Sequence, residues 1–114
     1  MKTEMEERVR SSLRMADADE RASALKEICV DLAETGSFAE ACSVAGKIED
    51  GESRAWALVA IACGQFNAGD MRGGVASLDG AKSAAASMPE GIRKAATLGM
   101  IHATEAPLHE TPPQ

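Results

Sequence analysis

The side chains in this chain that could do chemistry are three cysteines, two histidines, a short glycine run and two carboxylate clusters. Cys29, Cys42 and Cys63 are odd in number and widely spaced, with no Cys-x-x-Cys pair. That pattern suits neither a disulfide framework nor a zinc knuckle, and the three read as reduced, partly buried thiols. Cys63 has no basic or histidine neighbour in sequence that would lower its pKa and make it a nucleophile. His102 and His109 stand apart from any convergent set of ligands, so a structural or solvated role outweighs a metal site. Gly69 and Gly73-Gly74 invite a phosphate loop, but no strand precedes them and no Gly-Lys-Ser/Thr follows. The clusters Asp17, Asp19, Glu20 and Glu49, Asp50, Glu52 lack the spacing of a calcium loop and suit helix caps and solvated turns. Nothing pairs a nucleophile with a base or builds a metal site, so the sequence argues against an enzyme and asks for no cofactor.

The elements that would carry these residues show in the composition. Alanine dominates, tyrosine is absent, and Phe38, Phe66 and Trp56 are the only aromatics, which favours close helix packing over a β-sandwich. At 114 residues the chain is expected to be one all-α domain. Eighteen acidic and twelve basic side chains leave a charge of −6 with no basic stripe, which argues against a nucleic-acid partner. Met1 to Glu7 is charged where a secretory signal needs an apolar core, and no run reaches membrane-spanning length. A cytoplasmic protein without a membrane partner is expected.

One pattern organises the chain. Arg21-Ala22-Ser23-Ala24-Leu25 through Ile28 to Gly36 recurs 33 residues later as Arg54-Ala55-Trp56-Ala57-Leu58 through Ile61 to Gly69. Self-similarity at that period predicts stacked helical hairpins, each unit burying its apolar face against its neighbours.

Helical spacing then places the elements. A first helix over about residues 3–16 carries Met5, Val9, Leu13 and Ala16, with Glu4–Arg8 and Glu6–Arg10 as i,i+4 pairs. The next, capped by Asp17 or Asp19, buries Ala22, Leu25, Ile28, Cys29 and Leu32 and stops at Gly36. Ser37 caps a returning helix with Phe38, Ala41, Ala45 and Ile48 inward. Ser53 is the expected cap of the second unit, whose first helix carries Ala55, Leu58, Ile61 and Ala62. Its returning helix turns Met71, Gly74, Leu78 and Ala81 inward and ends before Pro89. A third start follows at an offset of 40, with Ala95, Leu98 and Ile101. The expected layout is an N-terminal helix over 1–17, a repeat domain over 18–105 in units of about 19–52, 53–89 and 90–105, and a flexible tail over 106–114.

Aligned this way, residues 19–105 resemble the tetratricopeptide-like repeat family. The resemblance is carried by Ile28…Gly36-Ser37-Phe38-Ala39-Glu40-Ala41…Ala45 and by Ile61-Ala62-Cys63-Gly64-Gln65-Phe66-Asn67-Ala68-Gly69-Asp70. The second stretch is similar to alanine-rich bacterial repeats of the form IAxxQxxAGD. The family's tryptophan and tyrosine positions hold Leu25 and Leu32 in one unit, Leu58 and Gln65 in the other. The resemblance implies a short right-handed α-solenoid of antiparallel hairpins, about two and a half repeats long. Its first helices would line a concave groove for a peptide or partner helix, without catalysis.

In that architecture the groove positions of the second unit are Trp56, Val59, Cys63, Phe66 and Asn67, opposite a more polar wall of Ser23, Lys26, Val30, Ala33 and Glu34. Because Leu58, Ile61 and Ala62 occupy the other side, the helix is apolar nearly all round. Either flanking helices cover it completely, or Trp56 and Phe66 stay open as a seat for a partner. The expected function is a non-catalytic interaction module that works as an adaptor, chaperone-like binder or inhibitor. The alternative is a self-assembling homodimer that uses the groove or the uncapped last helix, Ile92 to Thr104.

Overall fold

A computed structural model of the chain describes residues 2–109 and, among them, six α-helices and no strand. They are α1 (Lys2–Leu13), α2 (Ala18–Glu34), α3 (Phe38–Ala45), α4 (Gly51–Asn67), α5 (Met71–Ala86) and α6 (Ile92–His109). None of them is long and apolar enough to cross a membrane. Helices adjacent in sequence pack on one another, and beyond its neighbours α4 also packs on α2 and α6. The Cα envelope is a thin slab of 51 × 36 × 14 Å.

Helix α2 and helix α4 are built alike. Both are 17 residues long. Each starts on an aspartate: the Asp17 carboxylate accepts from the Asp19 and Glu20 amides, and Asp50 Oδ2 accepts from the Ser53 amide at 2.8 Å. Such caps stabilise a helix by about 1 kcal/mol each. Arg21 and Arg54 then reach back six residues, donating to the carbonyls of Met15 at 2.7 Å and Ile48 at 2.8 Å, and so brace the turn that leads into each helix. Both helices close at a glycine with positive φ, +79° at Gly36 and +86° at Gly69. There the following amide bonds five residues back, Ser37 to the Leu32 carbonyl and Asp70 to the Gln65 carbonyl, each at 2.8 Å, in the arrangement a left-handed glycine permits.

Two cores flank α4. On one side Leu25, Ile28, Cys29, Leu32, Ala41, Ala45 and Ile48 enclose Ala57 and Ile61. On the other Leu78, Ala81, Ala85 and Ile101 enclose Ala55, Val59 and Ala62, while Leu58 touches both groups. The repeat positions Leu25, Ile28 and Ile61 are at most 1% exposed. A buried polar link, Ser77 Oγ donating to Gln65 Oε1 at 2.6 Å, ties α5 to α4.

Several local expectations need correction. Asp50, not Ser53, caps α4, because its carboxylate sits three residues before the amide it accepts. Ser37 precedes α3 without a side-chain cap bond, and its hydroxyl lies 3.4 Å from that of Thr35. The first helix ends at Leu13, which with Ala16 is exposed, while Ser12 is buried. Arg8 pairs with Asp31 of α2 at 2.9 Å and Arg10 with Glu7 at 2.8 Å, because carboxylates on the facing helix or one residue closer outcompete Glu4 and Glu6. Met71 and Ala95 are exposed rather than inward. The last helix continues through Pro107 to His109, so residues 106–109 of the expected tail are helical; Pro107 removes a single amide donor near the helix end. Residues 110–114 of that tail lie outside the described residues.

Candidate functional site

Helices α2 and α4 run side by side in the same direction. Their last turns meet where a Cβ on Gly64 would lie 3.0 Å from the Phe38 ring and 3.3 Å from the Ala33 carbonyl oxygen. At the opposite end, Ala18, Ala22 and Leu25 share a small cleft with Ile48 to Asp50, the residues leading into α4. Between the two helices lies an open groove of about 550 Å³. Val30, Ala33, Glu34 and Gly36 form one wall, and Ala60, Cys63, Gly64, Asn67 and Ala68 form the other, with Phe38 of α3 between them.

The structure sorts the expected site residues into two groups. Trp56 is 43% exposed, and Cys63 and Asn67 are exposed too. Their spacings of seven and four put them on one edge of α4. On α2, Ser23 is exposed while Lys26 and Val30 are half-buried. Val59 and Phe66 do not belong with them. Val59 is buried in the second core, and Phe66 is half-buried against that same core, its ring lying where a Cβ on Gly74 would be 2.2 Å away. Both sit about 60–80° round the helix from Trp56, towards α5 and α6, so the packing of those helices claims them. The residue missed on the open edge is Ala60, one turn after Trp56 and three residues before Cys63.

The groove is equipped for contact more than for chemistry. Its polar groups are one carboxylate, one amide and one thiol, Glu34, Asn67 and Cys63. Among the described residues, no group of three or more His, Cys, Asp or Glu could hold a metal ion. His102 is exposed on α6.

The cysteines are free and graded in burial: Cys29 buried, Cys42 intermediate, Cys63 exposed. Cys29 donates to the Ala41 carbonyl at 3.5 Å. Burial first, and the neighbouring Cys42 second, push its thiol from an ordinary 9.0 up to about 12. A maleimide at mildly alkaline pH should therefore modify Cys63 first, Cys42 more slowly, and Cys29 only when the chain unfolds. Quantitative labelling of Cys29 in the native protein would contradict this packing. The same shift has a sign for stability. Below pH 9 both the folded and the unfolded thiol keep the proton, whereas between 9 and 12 only the unfolded one ionises, so folding weakens as pH rises through that window.

Compared with family models, with curated proteins and with solved structures, the chain matches none.

Proposed function

We propose that the chain is a short right-handed solenoid of tetratricopeptide-like helical hairpins, about two and a half units long. Its function on this reading is to bind a helix or peptide of a partner protein in the α2/α4 groove, without catalysis. The paired caps, arginine braces and glycine stops 33 residues apart in α2 and α4 support the repeat reading. The observation that carries the function is Trp56. It is a large aromatic left 43% exposed on the helix that packs against four others, one turn before Ala60 and on the same edge as Cys63 and Asn67, which line the open groove. Aromatic anchors beside small residues are what a partner's side chains seat against.

A photo-crosslinking residue placed at position 63 in the cell should capture one protein in strong preference to the same residue at position 83. Ser83 is also exposed but lies on α5, away from the groove. Equal capture from both positions, or none from 63, would remove the groove from consideration.

A second reading has its own observation. The outward side of α6 presents Ile92, 88% exposed, with Ala95, Ala96, Gly99 and Ala103, and none of these five is charged. A homodimer through this face would appear as self-capture by the same crosslinking residue placed at position 96, an exposed alanine of α6. Gly99→Glu, placed where an added Cβ meets nothing within 4 Å, would abolish that self-capture without disturbing the fold. Gly99 serves this purpose better than Leu98, which packs against the second core.

A further inference from the structure

We propose that the occupant of the α2/α4 groove is an amphipathic helix of a partner protein that carries a basic residue at one end, and that this end docks beside Glu34. The inference rests on the groove being a binding surface and adds the chemistry of what binds there.

Charge complementarity identifies the occupant. Glu34 is the one charged side chain among the groove's lining residues, is exposed, and makes no ion pair among the described residues. It stands in the last turn of α2, where α2 and α4 end side by side. Each helix brings the negative pole of its backbone dipole to that point, and neither has a basic residue in its last turn to offset it. Two helix ends, a free carboxylate and a chain charge of −6 add up to a local field that favours a cation and repels phosphate or an acidic peptide.

The rest of the groove says that the cation arrives on a helix. The groove's lining on α2 runs from Glu34 back to Val30, and Lys26 follows one turn beyond it, eight residues and about 12 Å from Glu34, the length of two turns of a docked helix. Between Glu34 and Val30 the groove's walls are apolar or small, with Val30, Ala33 and Ala60, so another helix can approach closely. Lys26, half-buried and without an ion pair among the described residues, makes the far end positive. The occupant is therefore basic at one end only. A uniformly basic peptide would meet Lys26.

Three synthetic helices of about 14 residues test this; they share one alanine–leucine amphipathic sequence and differ in one terminal residue: arginine, glutamine or glutamate. Binding to the full chain is followed through Trp56, its single tryptophan, with sedimentation as the second readout. The arginine peptide should bind about fivefold tighter than the glutamate peptide, with glutamine between, and added salt should narrow the gap. Glu34→Gln should abolish the ranking. Glu40→Gln, at an exposed position on α3 outside the groove, should preserve it. Ala60→Glu should block all three peptides.

Each other result has a separate meaning. Equal affinity for the three peptides overturns the basic end and leaves the groove standing. Absence of binding, or binding that Ala60→Glu does not affect, overturns the groove and this inference together. A concentration-dependent change in Trp56 without peptide would make the occupant a second copy of the chain and overturn the inference.

Discussion

Truncating Ile61 to alanine lowers the unfolding free energy by about 4 kcal/mol, the upper part of the range for a buried aliphatic cut back to its Cβ. Ile61 is 0% exposed in the middle of α4, packed among Leu25, Ile28 and Ile48. The walls of that site are the side chains of Leu25, Ile28 and Ile48, each at most 1% exposed and itself packed in the same core, so the cavity cannot close by small movements. Chemical denaturation of the wild type and variant gives the difference directly. Glu4→Lys, at an exposed position on α1, is the control and changes stability by well under about 1 kcal/mol. If the two variants denature alike, Ile61 does not face the shared core.

Gly74→Val is the second large effect, about 3 kcal/mol of destabilisation. The Phe66 ring lies in the notch that the missing side chain leaves, with Cε1, Cδ1 and Cζ at 2.2, 2.4 and 2.6 Å from where a Cβ would be. Valine adds two methyl groups beyond that Cβ, and a branched side chain in a helix has almost no alternative rotamer with which to avoid the ring. Either the ring leaves the second core or α5 backs away from α4. A double-mutant cycle separates this contact from mere loss of helix quality: in a Phe66→Ala background the valine should cost far less, giving a coupling of about 1–3 kcal/mol. Additive costs would show that Phe66 and Gly74 do not meet.

The periodic residues were legible in the sequence because the period carries them. Leu25, Ile28, Ile61, Leu78 and Ile101 recur at helical spacing, and all are buried. The glycine stops were legible for a similar reason, since a positive φ leaves few alternatives to glycine at Gly36 and Gly69. Rotation about the axis of α4 was harder to read. Val59 and Ala60 are neighbours in sequence but about 100° apart on the helix, and an apolar residue on either edge gives the same hydropathy. Which edge is covered depends on where α5 and α6 lie, and that follows from long-range packing. Phe66 does carry a signal in the sequence, because a large ring eight residues before a glycine, across a tight turn, is what a knob and its notch look like. The choice between Asp50 and Ser53 as the cap of α4 was ambiguous because each side chain can accept from an amide three residues on. The aspartate wins by coming first.

That α4 is common to both cores bears on how the chain acquires its structure. Neither flank has a complete apolar interior without this helix: the α2–α3 side needs Ala57 and Ile61, and the α5–α6 side needs Ala55, Val59 and Ala62. A nascent pair of α4 with α5 needs only the short turn at Gly69-Asp70 to close, so little chain entropy is lost before apolar contact begins. The remaining helices can then condense on its two faces independently. Such a route involves mostly contacts between neighbours in sequence, the condition under which small helical proteins cross their folding barrier quickly. It also makes α4 the element whose loss dissolves everything else, so the two flanks behave as one cooperative unit through a helix that neither of them owns.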